Sequence, residues 1–303
     1  MFRVRNQIGC TKEIVDSCGK HGVTVAMLDT GIAQHPDFDK RIIAFKDFVN
    51  HKQVVYDDSG HGTHVAGCIC GNGRLSDGKF AGIAPASRLV VGKVLNHKGD
   101  GIIDSMIEGI EWILDCRARY DIRILNISIG MGEATDKERM GRLISKVEQA
   151  WNSGLIVVCA AGNSGPEPMS LSPIGAGKEV ITVGCHEGGY FGKREDLCEN
   201  YSGRGPSIYE MKKPDIVAPG TEIMSCNAFL EKRGMRYKNA YITKSGTSMA
   251  TPIVSGALAL LLQKYPFYSN EQAKRKLHYT AKDLMEPWNK QGYGMVQVNS
   301  LLT

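Results

Sequence analysis

The chain has 303 residues, of which 42% are hydrophobic and 23% are charged, a composition that is typical of globular proteins and excludes disordered or collagen-like chains. Its formal net charge is +5, and the 37 basic and 32 acidic residues are mixed along the chain, so we expect no nucleic-acid groove. No apolar run approaches the roughly 20 residues of a membrane-spanning helix, so we expect no membrane span.

Short apolar runs rich in β-branched residues alternate with segments of helical periodicity. The runs that predict buried strands are residues 23–28, 89–94, 122–129, 155–160 and 180–183. Between them, apolar side chains recur at helical spacing over residues 106–114 and 140–151, which predicts two amphipathic helices. This order of elements predicts an α/β fold of three layers, α/β/α, with a mainly parallel central sheet.

No repeat or linker divides the chain, so we expect a single domain. Thr135, followed three residues later by Glu138, has the spacing of a capping box and predicts the start of the second amphipathic helix. Pro252 suits the first turn of an apolar helix predicted over residues 253–265.

The nine cysteines are an odd number in a chain long enough to fold without covalent cross-links, and they predict reduced thiols. The first residues contain neither an apolar segment nor a cleavage site of a signal peptide. Both observations favour a cytoplasmic protein. The alternative is a secreted protein whose chain was trimmed to its mature domain.

An aspartate ends the first predicted strand. The apolar run stops at Asp29, and Thr30 and Gly31 follow, so the carboxylate either caps the following turn or takes part in chemistry. Two histidines, His61 and His64, lie further along in the glycine-flanked segment HGTHVAG. If a helix begins near His61, His64 lies almost one turn further and faces the interior. We therefore interpret His64 as a core histidine and His61 as the exposed one.

Two further polar residues lie where a developing negative charge would be stabilised. Ser248 lies at the predicted N-terminus of the last long helix, where backbone N–H groups are unpaired. It is either an N-cap or a nucleophile, and a serine nucleophile needs a base and a group that orients the base. Asn163 follows a predicted strand and so lies at the carboxyl edge of the sheet, where ligands bind. Its amide is a suitable donor to an oxyanion.

The motifs DTGI, HGTHVAG, AAGNSG and GTSMATP occur in this order and together resemble the subtilisin-like serine proteases, or subtilases. The resemblance extends over roughly residues 22–301 and implies a serine endopeptidase that hydrolyses peptide bonds through an acyl-enzyme. In the implied triad Ser248 is the nucleophile, His61 is the general base and then the general acid, and Asp29 orients His61. Asn163 and the Ser248 N–H form the implied oxyanion hole.

The resemblance also implies that a peptide or protein substrate adds as a strand between two edges of the site. One edge is a glycine-containing loop, and the other is the end of the third predicted strand. The implied substrate-binding residues are Gly99, Gly101, Ser128, Ile129 and Gly130. Their apolar or small character favours a hydrophobic P1 side chain. Asp57 and Asp58 are either solvated turn residues or a site that attracts a basic substrate residue.

Many family members bind calcium, so the resemblance makes a structural calcium ion an option, whereas the chemistry requires no cofactor. The segment 70–82 offers mainly Asn72 and Asp77, and calcium needs six to eight oxygens, so we assign no metal ligand. Two other functions remain as alternatives: a pseudoprotease that acts as a binding module, and an acyl transferase or peptide ligase that uses the same residues. The oligomeric state does not follow from the sequence.

Overall fold

A seven-stranded, all-parallel sheet forms the middle layer of the computed structural model, which describes residues 1–19, 21–129, 136–190, 192, 197–207 and 210–303. Its strands are β1 (Thr24–Asp29), β2 (Ile42–Asp47), β3 (Arg88–Lys93), β4 (Ile122–Ile127), β5 (Ile156–Ala160), β6 (Ile181–His186) and β7 (Ile216–Pro219). The spatial order is β2-β3-β1-β4-β5-β6-β7. The strand order therefore reverses at β1, and the crevice beyond its carboxyl end is the expected place for a ligand.

The five strands predicted from the sequence correspond to β1, β3, β4, β5 and β6. Sequence analysis missed the two edge strands for different reasons. β2 is only partly buried and contains Lys46, so it lacks a continuous apolar run, and β7 has only four residues. Four short strands outside the sheet form two antiparallel ribbons: β8 (Ile223–Cys226) with β11 (Tyr241–Lys244), and β9 (Glu231–Arg233) with β10 (Arg236–Lys238).

Helices cover both faces of the sheet and complete the predicted three-layer α/β/α arrangement. They are α1 (Phe2–Gln7), α2 (Lys12–Ser17), α3 (His61–Cys70), α4 (Ile103–Tyr120), α5 (Lys137–Asn152), α6 (Thr247–Lys264), α7 (Asn270–Tyr279), α8 (Trp288–Gln291) and α9 (Val298–Leu301). α4 packs against α5, whereas α3 packs against α6. α6 is buried over almost its whole length because its side chains are small or apolar. Among the described residues, no helix is long and apolar enough to cross a bilayer.

Two predicted helix starts differ from those in the structure. The N-cap of α5 is Asp136, whose carboxylate accepts the Arg139 N–H over 3.0 Å, and the predicted cap Thr135 lies outside the described residues. α6 begins at Thr247, so Pro252 lies inside the helix and not in its first turn. The reason is tertiary, because the side chain of Asn163 accepts the Thr247 N–H and caps the helix from a distant loop.

The N-terminal extension, residues 1–21, packs onto the body of the molecule. Val4 and Ile8 are buried in the same apolar core as the sheet. The Arg3 guanidinium donates to four backbone carbonyls, among them that of Glu187 over 2.6 Å and that of Gly188 over 3.0 Å. Residues 1–8 thus cover the core and contribute to its burial.

The cysteines differ in part from the prediction that all nine are thiols. Cys185, in β6, and Cys198, in the following loop, form a disulfide across 13 residues. The other seven are free, and six of them are buried. Sequence spacing could not identify the pair, because the two residues are 13 positions apart and meet only in the folded chain.

A buried carboxylate beside β7 is surrounded by cations. Asp215 Oδ2 lies 2.5 Å from Lys213 Nζ and accepts the Thr182 N–H over 2.7 Å. Its Oδ1 lies 3.1 Å from His278 Nε2 and 3.3 Å from Lys274 Nζ. Burial alone would raise the pKa of Asp215, but the neighbouring cations outweigh burial and hold that pKa far below its ordinary value.

We expect Asp215→Ala to lower the free energy of unfolding by about 3–5 kcal/mol, because it leaves the completely buried Lys213 without its counter-charge. The matched control Glu111→Ala breaks a surface pair with Lys146 and should cost at most about 1 kcal/mol. Urea unfolding at pH 7 measures the free energy of unfolding of both variants.

Folding lowers the pKa of Asp215, so the stability that this carboxylate contributes is present above its unfolded pKa of about 3.9 and is lost as the pH falls. Equal losses in the two variants would contradict this role.

Candidate active site

A buried carboxylate and a histidine meet at the carboxyl end of β1. Asp29 is the last residue of β1 and is completely buried, and His61 is the first residue of α3. His61 Nδ1 lies 2.6 Å from Asp29 Oδ1, and the Thr30 N–H donates to the same oxygen over 2.7 Å. The imidazole remains 25% exposed. The pair therefore joins a buried negative charge to a ring that still reaches the surface.

Two glycines allow α3 to begin beside β1. Gly60 precedes the helix with a φ of 81°, which lies in the left-handed region that glycine adopts without strain. A Cβ at Gly62 would lie 2.1 Å from the carbonyl oxygen of Gly31, so only glycine permits this approach. The Gly62 N–H also donates to Thr30 Oγ1 over 2.9 Å. These contacts hold the first turn of α3 against the turn after β1 and bring the histidine to the carboxylate.

The two histidines of this segment have opposite environments. Burial alone would lower the pKa of His61, but the charge and hydrogen bond of Asp29 outweigh burial and raise it above its ordinary value of 6.5. His64 is completely buried, its Nε2 lies 2.8 Å from the Ile223 carbonyl oxygen, and burial lowers its pKa to about 3. The structure thus places His64 in the core and His61 on the buried carboxylate.

Asp57 connects the turn after β1 to the start of α3 through hydrogen bonds. It is buried, and its carboxylate accepts hydrogen bonds from Thr30 Oγ1 and the Gly60 N–H, each over 2.8 Å, and from the Thr63 N–H and Oγ1. Burial alone would raise the pKa of Asp57, but these donors outweigh burial and lower it. Asp57 is therefore an internal hydrogen-bond acceptor. It is neither a solvated turn residue nor free to attract a substrate cation.

Lys93 is a completely buried cation that connects three segments around the site. Its Nζ donates to Asp58 Oδ1 over 2.6 Å, to the Thr30 carbonyl over 2.7 Å and to the Leu95 carbonyl over 2.8 Å. Asp58 is exposed, as expected of a solvated turn residue, but its carboxylate is already bound to the buried Lys93. The signal in the sequence was a lysine that interrupts the apolar run over residues 89–94.

The N-terminus of α6 carries the third group. Ser248 is the second residue of α6, and Asn163 Oδ1 accepts the Thr247 N–H over 3.1 Å and the Thr247 hydroxyl over 2.9 Å. This orientation leaves the Asn163 amide nitrogen as the donor. In the described residues, no hydrogen bond joins Ser248 Oγ to the His61 ring. This is compatible with a catalytic pair, because such hydrogen bonds are often long in ligand-free enzymes and shorten when substrate binds. Sequence analysis missed Thr247, whose role depends on a partner far away in the chain.

The predicted substrate edge after β3 is a tight loop. Leu95 and Gly101 form an isolated antiparallel bridge, and Asn96 Oδ1 accepts two backbone N–H groups within the turn. Gly99 is partly exposed and Gly101 is exposed. Both predicted residues therefore lie on an accessible loop that begins next to Lys93.

The second predicted edge follows β4. Ser128 and Ile129 are buried, and Ser128 Oγ accepts the Asn126 amide over 2.9 Å. Asn126 Oδ1 in turn accepts the Ser255 hydroxyl of α6 over 2.8 Å, which ties this edge to the helix that carries the serine. The predicted residue Gly130 lies outside the described residues.

Asn72 and Asp77 do not form an oxygen site for calcium. Asn72 Nδ2 donates to Asp39 Oδ2 over 2.7 Å, and its Oδ1 accepts the Arg74 N–H over 2.9 Å. Asp77 is exposed and its backbone is left-handed, with a φ of 49°. Because calcium needs six to eight converging oxygens, these side chains do not fit the ion.

Among the described residues, one other cluster contains potential metal ligands. His35, Asp37 and Cys226 are buried, and their ligand atoms lie within 4.8 Å of one another. However, His35 Nδ1 accepts the Asp37 N–H over 3.1 Å, and its Nε2 donates to the Ala240 carbonyl over 2.9 Å. Asp37 Oδ2 accepts the Tyr241 hydroxyl over 2.9 Å. Since protein groups already occupy the ring nitrogens and the carboxylate, we assign no metal to this cluster.

A family model, similar sequences and a similar solved structure all relate this chain to the same group of proteins. The family model described as the subtilase family, Peptidase S8, matches residues 20–295. The serine protease AprX of Bacillus subtilis strain 168 is 41% identical over 293 residues, which cover 92% of this chain and 65% of AprX. Subtilisin BL of Lederbergia lenta is 34% identical over 280 residues, covering 92% of this chain and 90% of that protein.

Among solved structures, that of Sphericase is similar with a TM-score of 0.78 at 29% identity, and the match covers 92% of both chains. The chain spans just under two thirds of the length of AprX. The family model extends over most of the chain, and the fold agrees. The chain therefore belongs to the subtilase family of serine proteases.

Proposed function

We propose that the protein is a serine endopeptidase that hydrolyses peptide bonds of peptide or protein substrates, with Ser248, His61 and Asp29 as its triad. The observation that supports this most directly is the 2.6 Å contact between His61 Nδ1 and the buried Asp29 carboxylate. It leaves the other ring nitrogen to act on a serine. Family membership and the position of Ser248 at the N-terminus of α6 support the same roles.

In the proposed first half-reaction, Ser248 Oγ attacks the scissile carbonyl carbon while His61 Nε2 takes the hydroxyl proton. Asp29 stabilises the resulting imidazolium. Negative charge develops on the carbonyl oxygen, where the Asn163 amide and the Ser248 N–H donate to it. The tetrahedral intermediate then breaks at the C–N bond, and His61 gives its proton to the leaving amine. The acyl group stays on Ser248 Oγ as an ester.

In the second half-reaction, water attacks the ester carbonyl and His61 takes one of its protons. Collapse of the second tetrahedral intermediate returns that proton to Ser248 Oγ and releases the carboxylic acid. All proton transfers use one imidazole. The residues present supply every step, so we propose that the chemistry requires no cofactor, and we assign no structural calcium.

We propose that the substrate lies as an extended strand between Gly99 and Gly101 on one side and Ser128, Ile129 and Gly130 on the other. The exposure of the first loop and the connection of the second edge to α6 support this placement. The apolar Ile129 and the small residues around it favour a hydrophobic P1 side chain over a charged one.

We further propose that residues 22–303 form the catalytic domain and that the extension 1–21 stabilises it by packing on the core. The cytoplasm remains the proposed compartment, because seven of the nine cysteines are free and six of these are buried.

Ser248→Ala should abolish hydrolysis without a loss of stability, because it removes the nucleophile and leaves its neighbours in place. The measurement is release of a chromophore from anilide peptides with Phe or Lys at P1, and we expect the Phe peptide to be cleaved faster. A fluorophosphonate probe should label Ser248 in the unmodified protein and in the control Ser17→Ala, which changes an exposed helix serine. Unchanged turnover or labelling in Ser248→Ala would exclude this nucleophile, whereas a folded protein that is neither active nor labelled would be a pseudoprotease.

Asn163→Ala should lower kcat by about 10²–10³ with little change in KM, because the lost amide donates only to the developing oxyanion. The matched control is Thr247→Val, which removes the hydroxyl bond to Asn163 Oδ1 but keeps the donor. Its loss in kcat should be much smaller. Steady-state kinetics of the two variants, with circular dichroism to verify folding, measure the difference, and comparable losses would assign Asn163 to capping α6 alone.

The pH profile of kcat/KM should show an acid limb above pH 6.5, because catalysis needs neutral His61 and its pKa is raised above that ordinary value. Asp29 and Asp57 favour the charged ring, while burial and Lys244 oppose it. Asp29→Asn should lower kcat by about 10⁴ and move the limb to lower pH. The control His21→Gln changes an exposed histidine and should leave the profile as it is. An acid limb at or below pH 6.5 in the unmodified protein would refute the assignment.

A further inference from the structure

A basic ribbon lies beside the candidate active site. We call residues 227–244 the basic hairpin; it contains five basic residues and one acidic residue. β9 and β10 form its distal part, and β11 returns the chain to the site. Lys232, Arg236 and Lys238 are exposed, and Lys244 is partly exposed. Within the described part of the chain, none of these four cations forms an ion pair, in contrast to Lys93 and Lys213.

Two contacts join the basic hairpin to the catalytic machinery. The ring of Phe229 packs on Gly60, where its Cε2 would lie 3.1 Å from a Cβ, and Gly60 directly precedes His61. At its other end, β11 finishes at Lys244, four residues before Ser248. The charge of Lys244 also acts on the His61 ring. The basic hairpin therefore lies next to His61, the histidine that would protonate the leaving amine.

The position of the basic hairpin relative to His61 indicates which half of a bound substrate would contact it. The segment 57–61 separates it from the predicted substrate edge: Asp58 is bound to Lys93 beside Leu95, whereas Gly60 contacts Phe229. The proposed substrate edges hold the P1 side chain, which belongs to the acyl half, and the first of these edges begins at Leu95. The hairpin therefore lies on the opposite, leaving-group side of the histidine.

We propose that the basic hairpin binds the leaving-group half of a polypeptide substrate and selects acidic residues there. The inference rests on the proposed endopeptidase function. Unpaired cations attract carboxylates and disfavour lysine or arginine at the same place. Phe229, which packs on Gly60, is 58% exposed and adds apolar surface on which an extended chain would pack. A polypeptide fits these observations better than a nucleic acid, because the surface is continuous with the candidate catalytic residues.

The test uses internally quenched peptides that share one acyl half and differ in the leaving half, which contains three Glu, three Gln or three Lys. At low ionic strength we expect kcat/KM to be about tenfold higher for the Glu peptide than for the Lys peptide, the size of a few exposed charge pairs. The preference should shrink in 0.5 M NaCl, because salt screens exposed charges. Equal hydrolysis of the three peptides would overturn the proposal.

Charge reversal locates the preference. Lys232→Glu/Arg236→Glu/Lys238→Glu should invert the order of the Glu and Lys peptides. The matched control Lys12→Glu/Arg119→Glu/Arg275→Glu changes net charge equally at exposed sites outside the hairpin and should keep the order. A preference that survives the hairpin variant, or that disappears in the control, would contradict the role of the hairpin. If the hairpin variant does not fold, the single variants Lys232→Glu and Lys238→Glu should each reduce the preference for the Glu peptide, and an unchanged preference in both would contradict the role of the hairpin.

An anilide peptide with no residue on the leaving side separates this inference from the proposed function. If the unmodified protein does not cleave the anilide, the endopeptidase assignment fails. If it cleaves the anilide but treats the three quenched peptides alike, only the role of the basic hairpin fails. Binding of an RNA oligonucleotide that the hairpin variant abolishes, together with equal peptide hydrolysis, would assign the surface to nucleic acid and overturn the proposal.

Discussion

The burial of one carboxylate, Asp29, is the constraint on which the site depends. A buried charge at the end of a central strand is costly unless it accepts hydrogen bonds, and here a backbone N–H and the His61 ring both donate to Oδ1 of Asp29. The histidine reaches it only because α3 begins directly against the turn after β1, an approach that requires glycine at position 62. The buried carboxylate needs the His61 ring as a donor, and Gly62 leaves room for the helix that carries this ring. Both requirements therefore determine the same position of His61 beside Asp29. That geometry also raises the pKa of His61.

A buried cation complements this anion on the same edge of the sheet. Lys93 joins the turn after β1, the start of the loop at Leu95 and the carboxylate of Asp58. Asp57, with its donors from Thr30 and the first turn of α3, completes a network in which each buried charge has partners. Such networks are stiff because removal of any member leaves a buried group unsatisfied. The proposed substrate loop is thereby coupled to the proposed catalytic pair through short polar contacts.

The opposite wall of the site is organised by α6. Asn163 caps the helix through Thr247, so the amide proposed for the oxyanion hole is held by its oxygen while its nitrogen stays available. Asn126 and Ser255 connect the same helix to the edge after β4. The helix is buried along nearly its whole length, which gives the serine a rigid support. Both halves of the proposed chemistry thus rest on elements that the core holds in place.

The sequence by itself determined the layer architecture, five of the seven sheet strands and the family, because apolar periodicity and short motifs are local properties. It also distinguished His61 from His64, since their spacing on a helix sends one of them inward. Tertiary structure alone decided the start of α6, the roles of Asp57 and Lys93, the Cys185–Cys198 pair and the position of the basic hairpin. Each of these depends on a partner elsewhere in the chain. Such partners come together only when the strands and helices assemble, and only then are charges buried and neutralised and helix ends capped.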